Sequence, residues 1–193
     1  MESQIEYLKR NGLWLSTATH QAAWGLIDPI NALGENLRGI EIGVQSGMNS
    51  YMLLEFCPNI KKIMGIDPYK SYKDWDKVVP QLDLDANFET FQGNYEHMKD
   101  RFELVKMSSN EAAPLLKNES FDFVFIDGDH SLRAVLDDLT NYVPKVRKGG
   151  IIAGHDIGLG GVTMAIQSWC KRNNIDLSTV RLIENTAWYW IKE

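Results

Sequence analysis

The strongest constraint on the fold is an alternation. Five short, apolar, β-branched runs are separated by segments with helical spacing. The runs are 38–44 (RGIEIGV), 61–67 (KKIMGID), 102–107 (FELVKM), 121–127 (FDFVFID) and 150–154 (GIIAG). Each has the length and composition of a strand buried on both faces of a parallel sheet. Between them, Met48, Tyr51, Met52 and Leu54 suit a helix that starts beside Gly47. Leu84, Phe88, Phe91, Tyr95 and Met98 recur at intervals of three and four over 82–100, which puts them on one helical face. Segments 110–117 and 131–146 read the same way, the latter through Leu132, Val135, Leu136, Leu139 and Val143. Strand and helix in turn predict an α/β fold, a doubly wound and mostly parallel sheet with right-handed crossovers.

The two ends differ from this core. After a helix at about 161–173 come two strand-like runs, 178–184 and 187–192, separated by Asn185 and Thr186, which predicts a C-terminal antiparallel hairpin. Within it, Trp188, Tyr189 and Trp190 are expected to lie on a strand whose alternate rings fill the core rather than to form a stacking platform. The first 37 residues hold no strong strand. Trp14, Trp24, Leu26 and Ile27 suggest short helices, either a lid over a site or a cover on the sheet edge. No repeat or linker divides the chain, so residues 1–193 are expected to be one domain, with 1–37 as helical cover or lid and 38–193 as core.

Charge and hydropathy narrow the partners. With 20 Lys and Arg against 26 Asp and Glu, the formal charge is −6. Such a chain repels phosphate backbones, and no basic stripe offsets this, so nucleic acid is not an expected partner. No stretch approaches the roughly 20 apolar residues of a membrane span. The N-terminus, with Glu2 and Glu6, lacks the apolar centre of a signal peptide. The expectation is a soluble, cytoplasmic protein with no membrane partner, and a homo-oligomer is compatible with it. Cys57 and Cys170 fit neither a disulfide framework nor a CxxC metal site and are expected to be reduced.

Ligands of open parallel sheets bind outside the C-terminal ends of the strands. The turn after the first strand reads Glu41-Ile42-Gly43-Val44-Gln45-Ser46-Gly47, an ExGxxxG pattern. Gly43 and Gly47 permit a tight turn and a close ligand. Gln45 breaks the GxGxxG fingerprint of a dinucleotide site, which disfavours a dehydrogenase. Asp67, at the end of the second strand, lies 24 residues beyond Gly43. A carboxylate there can accept hydrogen bonds from both hydroxyls of a ribose. The site therefore suits a nucleoside without a pyrophosphate. In the plainer alternative, both glycines serve only the turn and Asp67 caps a bend before Pro68.

A second constellation follows the fourth strand, where FDFVFIDGDH gathers Asp127, Asp129 and His130 at one strand end, while His155 and Asp156 follow the next strand. Adjacent parallel strands would set these groups side by side. Carboxylates that close repel unless a proton or cation intervenes. A divalent cation held by Asp oxygens resolves the conflict, and Mg²⁺ commonly keeps water or substrate oxygens as further ligands. The imidazole of His155 suits Zn, Mn, Fe or Ni better than Mg, unless it faces away from the ion.

The ExGxxxG turn, the GIDP acid, FDFVFIDGDH and GGIIAGHD, in that order, resemble the class I S-adenosylmethionine-dependent methyltransferases. Over about residues 38–192 the pattern is most similar to the metal-dependent O-methyltransferases of the catechol and macrocin type. The resemblance implies a Rossmann-like sheet. It also implies that Glu41 contacts the methionine moiety, that Gly43 and Gly47 flank the cofactor, and that Asp67 holds the ribose. Ser109 and Asn110 match the adenine-contacting pair, although Ser108 and Glu111 also spell an SxxE capping box. Asp127 maps onto a residue that meets both cofactor and metal. His155 and Asp156 map onto a second metal-binding pair, and His130 maps onto the proposed general base. The implied reaction is methyl transfer from S-adenosyl-L-methionine to the hydroxyl of a small molecule, a sugar, natural product or catechol-like phenol, with a divalent cation, Mg²⁺ being expected. The alternatives are a metal-independent methyltransferase and a non-catalytic nucleoside- or cofactor-binding module. The long connection with Tyr69, Lys70, Tyr72, Lys73, Trp75 and Lys77 is a candidate wall for the acceptor pocket. His20 and His97 have no assigned role.

Overall fold

The computed structural model describes residues 17–74, 77–183 and 186–193. The expectations placed on Trp14, Trp75 and Asn185 fall outside the described residues. The chain runs α1 (Thr17–Asn31), β1 (Leu37–Ile42), α2 (Met48–Phe56), β2 (Ile60–Ile66), β3 (Tyr72–Asp74), β4 (Lys77–Val79), α3 (Gln81–Met98) and β5 (Phe102–Val105). It continues through α4 (Ser109–Ala112), β6 (Phe121–Ile126), α5 (Leu132–Tyr142), β7 (Val146–Gly154), α6 (Gly160–Arg172), β8 (Arg181–Ile183) and β9 (Ala187–Ile191).

Seven strands form one sheet in the order β5-β2-β1-β6-β7-β9-β8. The first five are mutually parallel, and β9 lies antiparallel between β7 and β8. From β1 the chain winds outward through β2 to β5, then returns to the other side of β1 as β6 and β7. This reversal is the switch point at which open sheets bind ligands, so the C-terminal ends of β1 and β6 frame a crevice. The doubly wound sheet and its antiparallel C-terminal hairpin are as expected from the sequence. In the hairpin the N–H of Thr186 donates to the carbonyl of Ile183 at 2.9 Å.

Side chains alternate across β6 with period two. Phe123 and Phe125 enter the core beneath α1, α2 and α3, together with Ile30, Met52 and Phe91. Val124 and Ile126 enter the core beneath α5 and α6, together with Leu139, Tyr142 and Ile166. Burying each such aliphatic or aromatic side chain contributes about 1.5–3 kcal/mol, and both faces of the sheet are sealed this way. Trp188 and Trp190 are also buried in the second core, with rings stacked at 5.5 Å, as the sequence led us to expect.

The departures from expectation have local causes. The helix expected over 110–117 stops at Ala112 and continues as a 3-10 turn, Ala113–Leu115, because Pro114 cannot donate to an α-helical ladder. Likewise α5 ends at Tyr142 and passes into a 3-10 turn containing Pro144. The β3–β4 hairpin was not anticipated in the long connection, since two three-residue strands carry too little alternation to register. Strand β7 begins at Val146, four residues before the apolar run. The described part of α1 packs on the core beside α2. Leu26 and Ile30 are buried, and the Trp24 ring lies 4.6 Å from that of Phe56. No helix among the described residues is long and apolar enough to cross a membrane.

Candidate active site

Beyond Ile42 the chain turns through Gly43 at φ +82°, a left-handed conformation that favours glycine. A Cβ at this position would come within 2.0 Å of the Asp127 carbonyl oxygen. The immediate demand for glycine is thus the close approach of the β1 and β6 ends. Gly43→Ala is expected to destabilise the protein by about 2–5 kcal/mol, combining left-handed strain with overpacking. Urea denaturation checks this, and an unchanged midpoint would contradict it. Gly47, at φ +75°, caps α2. A Cβ there would meet Phe91 and Met98, and Gly47 is not among the residues that line the cavity described below.

Asp67 leaves the end of β2 and braces the glycine turn. Its Oδ2 accepts from the backbone N–H of Val44 at 2.9 Å and of Gln45 at 3.0 Å, and its Oδ1 accepts from Tyr69 N–H at 2.7 Å. A carboxylate offers about four lone-pair positions, so one remains on Oδ1. The turn-bracing role and contact with a ribose hydroxyl are compatible. Glu41 is 2% exposed and accepts from Asn49 Nδ2 at 2.9 Å and from the Ser50 hydroxyl. Burial pushes its carboxyl up to about 8. The hydrogen bonds from Ser50 and Asn49 oppose the rise, and the charges of Asp127 and Asp67 add to it.

The turn after β5 shows the capping box. Ser108 N–H donates to Glu111 Oε2 at 3.1 Å, and Glu111 N–H donates to Ser108 Oγ at 3.4 Å. This fixes Ser109 and Asn110 at the start of α4, where both line the cavity. Sequence reasoning missed a further acid beside them. Asp138 is 3% exposed, lines the same cavity and accepts a hydrogen bond from the Ser109 side chain. Burial pushes its carboxyl up to about 7, with the Ser109 bond opposing and Asp137 and Asp129 adding. A signal was present in the sequence, because Val135, Asp138, Leu139 and Tyr142 occupy the buried face of α5. A charge in that stripe is uncommon without a purpose.

Strands β6 and β7 pair Ile126 with Gly154, and this register brings the next residues of both strands to one rim. Asp127 N–H donates to Ile42 O at 2.8 Å, and His155 N–H donates to Ile126 O at 3.1 Å. There His130 Nε2 lies 2.9 Å from Asp156 Oδ2 and 3.9 Å from Asp127 Oδ1. His155 Nδ1 lies 3.3 Å from Asp156 Oδ2 and 3.7 Å from Asp127 Oδ1. Hydrogen bonds from His130 and His155 hold the Asp156 carboxyl well below the usual carboxylate range, against the effect of burial. Burial pulls the His155 imidazole down, but its bond to Asp156 and the charges of Asp127 and Asp156 outweigh this and raise it. His155 Nε2 is buried without a hydrogen-bond partner among the described residues. Ligand atoms of Asp127, His130 and Asp156 all lie within 4.8 Å of one another, a grouping that can hold a metal ion. That group includes His130, whereas the sequence pointed to His155.

A cavity of about 480 Å³ joins the two constellations, a size suited to a nucleoside-bearing cofactor. Glu41, Gly43, Asp67, Ser109, Asn110, Asp127, His130, His155 and Asp156 all reach its wall. Lys70, Tyr72 and Val79 contribute a further wall from the connection after β2.

Comparison with known proteins agrees with this architecture. A family described as a methyltransferase domain matches residues 40–157. An uncharacterised protein of Acanthamoeba polyphaga mimivirus is 30% identical over 125 residues, 63% of this chain, and the chain spans 52% of that relative's length. Among solved structures, a calicheamicin methyltransferase superposes with a TM-score of 0.65 at 16% identity, covering 98% of this chain and 85% of its own. The O-methyltransferase TomG from Streptomyces achromogenes, solved in complex with S-adenosylmethionine, gives a TM-score of 0.61 at 13% identity, covering 100% and 92%. At these identities the structural likeness bears on the fold alone. The family match spans the glycine turn, the Asp67 brace and the rim of β6 and β7, and so the chain belongs to the methyltransferase-domain family.

Proposed function

We propose that the protein is an S-adenosylmethionine-dependent methyltransferase that acts, with a divalent cation, on the hydroxyl oxygen of a small molecule. One observation carries the reading: a single cavity places the Glu41, Asp67, Ser109 and Asn110 arc next to the Asp127, His130 and Asp156 cluster.

The residues fit both the cofactor and a divalent cation. Glu41 is a buried carboxyl at the cavity wall, and the cationic amino group of the cofactor's methionine end would stabilise its ionised form there. Asp67 keeps one acceptor position for a ribose hydroxyl, and Ser109 and Asn110 line the same cavity, where they are available to a base edge. Two carboxylates and an imidazole at Asp127, Asp156 and His130 form a mixed oxygen and nitrogen donor set that suits Mn²⁺, Fe²⁺ or Zn²⁺ as well as Mg²⁺. When bound, the cofactor supplies an electrophilic methyl group and the cation lowers the pKa of an acceptor hydroxyl.

The chain's own part is positioning and proton transfer. His130 offers Nε2 at the wall as acceptor of the hydroxyl proton once its contact with Asp156 is given up. The rigid ends of β6 and β7 hold these groups in register, which reduces the entropy lost in aligning the reactants. A second reading, with His130 as the third ligand, is favoured by the same 4.8 Å grouping. The O-methyltransferase identity of TomG supports oxygen as the acceptor. The chain's acidity supports a small molecule over nucleic acid.

Calorimetric titration with S-adenosylhomocysteine, with and without Mg²⁺ or Mn²⁺, tests the proposal. Wild type is expected to bind the cofactor product and one divalent cation. Asp127→Ala with Asp156→Ala is expected to lose the cation and keep the nucleoside. No binding of S-adenosylhomocysteine would overturn the methyltransferase reading, and product binding with no cation bound would leave a metal-independent enzyme.

A further inference from the structure

Helix α5 holds the turn at 108–110 at three points. Tyr142 OH donates to the Ser109 carbonyl at 2.7 Å, Asn141 Nδ2 donates to Asn110 Oδ1 at 2.8 Å, and Asp138 accepts from the Ser109 side chain. The first two contacts are sufficient to fix the turn. The third places a carboxyl, expensive to bury, against the cavity at the point where Ser109 and Asn110 also reach it. Its immediate surroundings are acidic, with Asp129 and Asp137 close enough to oppose its ionisation. A carboxylate in that setting gains most from a ligand that brings donors to it.

We infer that Asp138 reads the base of the bound nucleoside, accepting a hydrogen bond from the exocyclic amine of adenine beside Ser109 and Asn110. This rests on the proposed S-adenosylmethionine site. The Ser109 hydroxyl fills one of about four acceptor positions on the carboxylate, leaving capacity for an amine. A base with a carbonyl in place of the amine, as in hypoxanthine, would present an acceptor to an acceptor. Leaving a buried charged group unmatched in this way costs more than an ordinary hydrogen bond. Asp138 is therefore a specificity residue of the cofactor site and takes no part in the chemical step.

The test compares dissociation constants for S-adenosylhomocysteine and S-inosylhomocysteine at pH 8.5, where the carboxyl is ionised. Wild type is expected to prefer the adenosyl compound by about 10–100-fold, the range of a hydrogen bond to a charged group. Asp138→Asn, which can accept from an amine through Oδ1 or donate to a carbonyl through Nδ2, is expected to bring the two constants within a few-fold. A merely structural role would weaken both ligands equally and leave their ratio intact. Equal binding of both compounds by wild type, or an unchanged preference in the variant, overturns the inference while the cofactor site stands. Binding of neither by wild type overturns the underlying reading. Should Asp138→Asn fail to fold, Asp138→Ser, which also removes the carboxylate, is expected to narrow the ratio in the same way, and an unchanged ratio overturns the inference.

Discussion

His130→Ala is expected to lower methyl-transfer turnover by about 10²–10⁴-fold, the range that a positioned acid–base group contributes, with S-adenosylhomocysteine affinity unchanged. The imidazole touches the acidic cluster through Nε2, 2.9 Å from Asp156, and His130 has no part in the Glu41 and Asp67 arc. Removing it should therefore spare the nucleoside and disable the proton transfer. The same variant separates the two roles open to His130. If it is the base alone, cation affinity stays at the wild-type value and the pH profile of turnover loses its acidic limb. If it ligates, cation affinity falls together with turnover. Full turnover with a verified acceptor would remove His130 from both.

The second large effect concerns Glu41 and the cofactor-free protein. Its folded carboxyl sits at about 8 against an ordinary 4.5, so between those values the folded state binds more protons than the unfolded state. Stability must then fall as pH rises through that window, with the loss complete above about 8. The shift corresponds to a few kcal/mol in order of magnitude. Glu41→Gln keeps an acceptor for Asn49 and a partner for Ser50 but cannot ionise, so this contribution to the pH slope disappears. Urea midpoints at pH 5 and pH 8.5 are expected to separate for wild type and to separate less for the variant, the remaining difference being the share of Asp138, whose buried carboxyl is likewise raised, to about 7. Parallel profiles would show that Glu41 carries no such burden.

The sheet was legible because buried parallel strands need continuous apolar runs, and 61–67 or 121–127 cannot readily be anything else. The mostly parallel direction followed from the alternation with helices, whereas the strand order came from the structure. The boundaries that slipped are those where backbone chemistry overrides side-chain pattern. Pro114 and Pro144 each convert a last helical turn to 3-10, and the register shift between Phe121 and Phe123 lets β7 start among polar residues. In the site, the acids and histidines at 127–130 and 155–156 were legible because strand ends converge by topology. The place of Asp138 in the apolar stripe of α5 was legible, but its importance was not, since that depends on which face of α5 meets Ser109, a tertiary fact. Gly43 was singled out for a ligand's approach, while its nearest neighbour is the Asp127 backbone, which adjacency of β1 and β6 alone reveals.

The Asp67 brace has a thermodynamic corollary. Because the two backbone amides of Val44 and Gln45 in the Gly43–Gln45 bend are already satisfied by that carboxylate, the protein's own hydrogen bonds set the shape of the loop. The cost of immobilising it is borne once, when the domain folds, instead of at every catalytic cycle. Product can then depart and fresh methyl donor arrive without the pocket floor having to melt and re-form.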